Sequence, residues 1–177
     1  MTSETAAPIA GQTMADPAEF LRLLPHGSRL IGIDAGTKTL GLALSDVFRS
    51  IASPLETIQR TKFTADAARL LALIAQFRVA GLVLGFPSNL DGTEGPRAQA
   101  TRALARNLNK LTPVPILLWD ERLSTAAAER MLIAADQSRK RRAEVIDKVA
   151  ATIILQGALD RMGYLVRAAA PAGDGEA

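Results

Sequence analysis

The chain has 177 residues, 48% of them hydrophobic, which suits one domain with a full core and not comfortably two. It holds no Cys and a single His, His26, which excludes disulfides and zinc–thiolate sites and argues against a Ser–His–Asp triad. With no Cys and one His, any catalysis must rest on carboxylates, Lys, Arg, hydroxyls or a hard cation held by oxygen; the formal charge of +3 is mild, and no apolar run approaches a membrane span of roughly 18 residues.

Residues 1–20 are rich in Ala, Thr, Pro and Gly, carry acids and lack an apolar signal core. They suggest a flexible extension, drawn here as 1–27, with a second flexible tail at 166–177. No Cys and no signal make the cytoplasm the default compartment. Leu30 to Ile33 is a short apolar strand ending at Asp34. The turn Ala35-Gly36-Thr37-Lys38 leads to a second strand, Leu40 to Val47, at hairpin spacing, so the two should pair antiparallel. A weaker third strand follows from Pro54 to Gln59, with Pro54 at its start.

From Phe63 to Phe77 the period changes, and Ala67, Leu70, Leu71, Ile74 and Phe77 fall on one helical stripe. Leu82-Val83-Leu84 is a buried strand stopped by Gly85-Phe86-Pro87. Ser88 to Gly95 is a polar loop. Pro96 opens a helix running to about Leu111, and Val114 to Trp119 is another strand, closed by Asp120-Glu121. A helix from Thr125 to Ala135, capped by Ser124 or Thr125, is followed by the basic run Arg139-Lys140-Arg141-Arg142 as a loop, then a long helix from about Ala143 to Met162. A strand meander followed by alternating helices and strands predicts an α/β domain over 28–165, a mixed five-stranded sheet flanked by helices.

Ligands of such sheets gather at the carboxyl ends of parallel strands. That rule selects Asp34, the loop after Phe86, and Asp120-Glu121. Asp34 precedes a glycine turn where a polyanion could approach the backbone, although Asp is also an ordinary turn residue. Of the second pair Glu121 is favoured, with Asp120 in reserve, since sequence alone does not say which carboxylate turns inward. On a helix, Asp147 shares a face with Ala150, Ala151, Ile154 and Ala158. A carboxylate on an apolar face needs a cation or strong donors, because burying it unpaired costs several kcal/mol. The plainer reading is a salt bridge to a buried Arg or Lys.

Asp34, Glu121 and Asp147 together suit one or two Mg²⁺ or Mn²⁺ ions, which take oxygen ligands and keep water. Such ions promote phosphodiester hydrolysis. Arg139, Lys140, Arg141 and Arg142 would supply counter-charge to a phosphate backbone, with Lys38 and Arg97 adding contacts. Aromatic residues make up only 4%, which favours backbone and shape recognition over extensive base stacking.

Four ordered motifs resemble the YqgF family. They are Ile33-Asp34-Ala35-Gly36 through Gly41-Leu42-Ala43; Gly85-Phe86-Pro87 with Asp91 to Pro96; Asp120-Glu121-Arg122-Leu123-Ser124-Thr125; and Ile146 to Ala151 with Ile154-Leu155-Gln156. The resemblance spans about residues 28–163. It departs in Ser124, where a Thr is frequent, and in the N-terminal extension, which has no counterpart. The family is similar to Holliday-junction resolvases of the ribonuclease-H superfamily, and its members are regarded as nucleases that process the 5′ end of precursor 16S ribosomal RNA. The resemblance implies a ribonuclease-H-like fold, the acidic residues above as metal ligands, structured RNA as substrate and a cytoplasmic setting without a membrane.

Three rivals stand beside a nuclease acting on structured RNA. A junction resolvase acting on branched DNA would use the same site and need a dimer; the sequence leaves oligomeric state open. An actin-like ATPase is suggested by Asp34 to Lys38 but needs two such domains. A non-catalytic RNA-binding module explains the basic run but not Asp147.

Overall fold

The computed structural model describes residues 10–124 and 139–171. Its elements in chain order are β1 (Thr13–Met14), α1 (Pro17–Leu23), β2 (Arg29–Ala35), β3 (Thr39–Ser45), β4 (Ala52–Gln59), α2 (Phe63–Phe77), β5 (Val79–Phe86), α3 (Pro96–Asn109), β6 (Ile116–Asp120), a 3₁₀ turn (Glu121–Leu123) and α4 (Arg139–Ala169). The strands form one sheet in the order β1-β6-β5-β2-β3-β4. β2, β3 and β4 make an antiparallel meander, whereas β5 and β6 run parallel to β2.

Strand alternation sorts the side chains into two cores. Ile31, Ile33, Leu40, Leu42, Leu82, Leu84, Ile116 and Leu118 point to the α2–α3 face, where they meet Ala67, Leu70, Leu73, Leu104 and Leu108. Leu30, Ala43, Val83, Leu117 and Trp119 point to the other face, under α1 and α4. There they meet Phe20, Ala151, Ile154, Leu155, Ala158 and Met162. Gln156 fixes the register of α4: its Oε1 accepts from Ala52 N at 2.9 Å and its Nε2 donates to Ser50 O at 3.0 Å. These bonds clamp the helix to the start of β4. The polar start of this edge strand tolerates Pro54, opposite Ala43 beside a bulge.

Four expectations need correction. Residues 10–24 are not a loose extension. β1 adds a sixth strand, pairing parallel with Ile116 and Leu117 of β6. Asp16 caps α1 by accepting from Ala18 N at 2.9 Å, Pro17 opens the helix, and Phe20 is fully buried. The basic run is not a loop: Arg139 to Arg142 form the first described turn of α4, in keeping with the good helix propensity of Arg and Lys. That helix also continues to Ala169, into the segment assigned to the C-terminal tail. Finally, Ile146–Ala169 is long and apolar enough to pass a length-and-composition test for a membrane span. Ala150, Ala151, Ile154, Leu155, Ala158, Leu159 and Met162 are buried against the sheet, which is why this core helix is so apolar. The helix expected at 125–135 lies outside the described residues.

Candidate active site

The hairpin β2–β3 aligns Asp34 with Gly41. Alternation places Asp34 on the face of Gly32, whose missing Cβ leaves room for Leu155 and the Ala151 carbonyl of α4. Gly41 does the same for Asp147: a Cβ there would overlap the Asp147 backbone. The glycine therefore lets the N-terminal half of α4 rest directly on β3, beside Asp34. Asp34 is 2% exposed, and Asp147 is half-buried at the end of the apolar helix face. Buried Thr39, two residues before Gly41 and on the same face, donates its hydroxyl to Asp147 Oδ2.

Glu121 arrives from β6. Leu117 and Trp119 face α4, and Glu121 continues that series into the 3₁₀ turn, 8% exposed. Its Oε1 occupies space that a side chain on Gly85 would claim, since a Cβ there would stand 2.9 Å from it. Asp120, one residue earlier, takes the other direction. It accepts from Arg122 Nη2 at 2.6 Å and Nε at 3.0 Å, and from Arg122 N at 2.9 Å. The Arg122 guanidinium beside it holds the Asp120 carboxyl below the usual carboxylate range. The ambiguity within the pair is thereby resolved: Glu121 turns toward the α4 face, and Asp120 is an ion-paired cap.

β2, β5 and β6 are parallel neighbours, so Asp34, Gly85 and Glu121 lie at their carboxyl ends, with Asp147 across Gly41. Among the described residues, however, no three carboxylate or imidazole side chains stand as a ready-made metal cage. Asp147 Oδ2 accepts from the Thr39 hydroxyl. The donor chemistry nevertheless suits a hard cation. Mg²⁺ binds through one or two carboxylates and retains water, so an open set suffices. The glycine hollow at Gly85 leaves a carboxylate oxygen where a Cβ would otherwise be.

Arg97, exposed on the first turn of α3, borders two hollows. One, of about 560 Å³, also contains Glu121, Arg122 and Ser124; the other touches Gly36, Thr37 and Arg60. Arg97 thus links the Asp34 turn to the Glu121 side. Lys38 is exposed at the hairpin tip, which Arg60 braces by donating to Gly36 O at 2.5 Å and, through its backbone N, to Lys38 O at 2.8 Å. Arg139 to Arg142 lie five to eight residues before Asp147, about 8–12 Å along the helix at 1.5 Å per residue. Thr39, Arg60 and Arg122 were not singled out from sequence. For Thr39 the available signal was its spacing of two from Gly41, which puts both on one strand face.

The family model for RuvX, described as Holliday junction resolvase, matches residues 28–161. A Cereibacter sphaeroides protein named "Putative pre-16S rRNA nuclease" is 64% identical over 149 residues, covering 84% of this chain and 93% of its own length. A Paracoccus denitrificans protein of the same name is 62% identical, with 84% of this chain and 94% of its own covered. Among solved structures, Thermus thermophilus RuvC in complex with a Holliday junction substrate aligns with a TM-score of 0.50 at 15% identity, over 77% of this chain and 96% of that one. That likeness concerns the fold, which is ribonuclease-H-like. The four motifs, the matched span and the identity to these relatives agree: this chain belongs to the RuvX family.

Proposed function

We propose that this protein is a divalent-metal-dependent nuclease that hydrolyses phosphodiester bonds near the 5′ end of precursor 16S ribosomal RNA in the cytoplasm. What supports this reading is that Asp34 is in register with Gly41, against which the Asp147 backbone packs, and that Glu121 fills the hollow left by Gly85 on the same face of the sheet. Nothing in a simple core requires three acidic residues beside glycines that admit them. The names of relatives more than 60% identical supply the substrate.

Asp34, Glu121 and Asp147 would hold Mg²⁺ or Mn²⁺. When bound, such an ion supplies Lewis acidity toward phosphate oxygens. The protein's own groups do the remaining work. Thr39 restrains Asp147 through its hydroxyl. Arg97, Lys38 and the run Arg139 to Arg142 would supply counter-charge to the phosphodiester backbone, whose charge needs several cations along its path. The Asp120–Arg122 pair keeps Arg122 over the Glu121 hollow. Sparse aromatics suit recognition of RNA shape rather than base sequence.

A second reading, resolution of branched DNA, is favoured by the family description and would require two sites in a dimer. Purified protein incubated with precursor 16S RNA and with a matched four-way DNA junction, in Mg²⁺, Mn²⁺ or EDTA, separates the readings. Cleavage of the RNA alone, abolished by EDTA, is the expected result. Cleavage of the junction alone would replace this reading, and cleavage unaffected by EDTA would remove the metal. Replacing Arg139, Lys140, Arg141 and Arg142 with Ala should lower the log–log salt slope of binding by about 0.7 to 0.9 per lost phosphate contact.

A further inference from the structure

At the other end of the sheet lies a cavity of about 740 Å³ between α1, the β3–β4 turn and the last turns of α4. Its walls include Arg22, His26, Phe48, Arg49, Asp160 and Arg167. Three features set it apart from ordinary surface. First, Arg49 is half-buried and, among the described residues, its side chain is hydrogen-bonded only to neutral acceptors, Pro25 O and Ser28 Oγ, each at 2.9 Å. Among the described residues, Arg22, Arg49 and Arg167 form no ion pair. The single acidic wall residue, Asp160, accepts a hydrogen bond from Gln156 Nε2. Second, Arg49 adopts a left-handed backbone with φ 55°, in a turn held by Asp46, whose carboxylate accepts from Ser50 N and Ile51 N, so the exit direction of its side chain is fixed. Third, the residue before it, Phe48, is 83% exposed, on the wall of a cavity that Arg22, Arg49 and Arg167 also line.

Cations without anionic partners call for a phosphate, and an exposed ring at their margin calls for a base. Nonspecific single-strand sites combine these two elements. We propose that this cavity is a second nucleic-acid site that takes one nucleotide unit of single-stranded RNA, its phosphate among Arg22, Arg49 and Arg167 and its base against Phe48. It rests on the reading of the protein as an RNA nuclease. A paired region would not serve, because its bases are stacked within the duplex. The length of β2 from Arg29 to Asp34 separates this site from the carboxylates by about 17 Å at 3.3 Å per residue. The site would therefore hold a single-stranded part of the substrate away from the scissile bond.

The test uses the full chain in EDTA, so that binding is measured without cleavage. The probe is a fluorescent oligouridylate of about 20 nucleotides, longer than the separation of the two sites at roughly 3.4 Å per stacked nucleotide. Phe48→Ala should raise Kd about tenfold, near the lower end of what one base–aromatic stack contributes. Arg22→Ala with Arg167→Ala should also weaken binding and lower the salt slope by about 1.4, two contacts at 0.7 each for a single strand. Thermal melts matching wild type would show that the variants are folded; Phe48 is exposed and its loss should not move them. Unchanged Kd and slope in both variants would overturn the site. So would a Phe48→Ala variant of wild-type affinity beside a weakened arginine variant, which would indicate a plain anion site. Polyglutamate competing as well as RNA would assign the cavity to an acidic protein and overturn it too. Cleavage of precursor 16S RNA by wild type in Mg²⁺ is read separately. If that fails while the binding changes appear, the nuclease reading falls and the RNA site stands; the reverse pattern leaves the nuclease without this site.

Discussion

The two faces of the sheet bury similar strands against helices, yet they are made from different residues. Toward α2 and α3 the strands offer Ile31, Ile33, Leu40, Leu42, Leu82, Leu84 and Ile116, a continuous aliphatic layer. Toward α4 they offer Gly32, Gly41 and Gly85 beside Leu30, Ala43, Val83, Leu117 and Trp119, and α4 answers with Ala150, Ala151 and Ala158 among Ile154, Leu155 and Met162. Large side chains maximise buried area; small ones bring backbones together. The α4 face gives up apolar volume at Gly32, Gly41 and Gly85, where Leu155, the Asp147 backbone and Glu121 come close. One face chiefly stabilises the fold, and the other sets distances between charged groups. Mutations on the two faces should therefore separate cleavage from stability.

The largest effect on cleavage should come from Asp34→Asn, which removes a charge and almost no volume. Activity on precursor RNA should fall at least about a hundredfold, the equivalent of roughly 3 kcal/mol of lost transition-state stabilisation. The melting temperature in EDTA should not fall. A variant that cuts at the wild-type rate would return Asp34 to the role of turn residue.

Gly41→Ala should rank next. The added methyl would overlap the Asp147 backbone, so α4 must lift away from β3. Overpacking of this kind typically costs about 1–3 kcal/mol, and displacement of Asp147 by an ångström should reduce cleavage on the order of a hundredfold. The informative measurement is the rate per folded molecule. If this rate is normal while stability falls, close approach of α4 serves packing alone.

These glycines also show what could be read from sequence. The boundaries of α2 follow Phe63 to Phe77 as expected, because the helix carries a clear apolar stripe and stops at Arg78 in a left-handed conformation. β1 was not legible, since a strand of two residues has no periodicity. α1 carried a start signal in Asp16-Pro17, but its seven residues are too few for a stripe. Asp34 and Glu121 could be placed at strand ends. Choosing Glu121 over Asp120 required knowing which face α4 covers, because alternation then sends residues 117, 119 and 121 to one side. The distances at Gly41 and Gly85 are set by tertiary packing and leave no local pattern. The placement of the Arg49 cavity joins three segments far apart in the chain and was equally invisible.

On the opposite face, Leu70→Ala should reverse the balance. Leu70 is 1% exposed in the aliphatic layer. Its truncation should cost about 2–5 kcal/mol in denaturant unfolding, with cleavage per folded molecule unchanged. A fall in that rate comparable with the Gly41→Ala variant would mean that the two faces are mechanically coupled.

Asp120→Asn should have the smallest effect and makes the most local distinction, between adjacent carboxylates. Asn keeps an oxygen to accept from the Arg122 backbone, so the 3₁₀ turn stays capped. What it removes is the charge paired with the Arg122 guanidinium. Cleavage should persist near the wild-type rate, because Asp120 faces away from α4, whereas Glu121→Gln should abolish it. The stability effect has a defined pH dependence. The pairing lowers the Asp120 pKa in the folded state, so its contribution is present above the unfolded pKa of about 3.9. It is lost as pH falls through the depressed folded value. Wild type should therefore melt slightly above the variant at pH 7, and the two curves should converge on acidification below pH ~4. The gap should also shrink in high salt, since both partners remain partly exposed and the pair is screened. A gap that persists unchanged in strong acid would assign the stability difference to packing or capping, and a loss of cleavage in Asp120→Asn with retention in Glu121→Gln would exchange the roles of the two carboxylates.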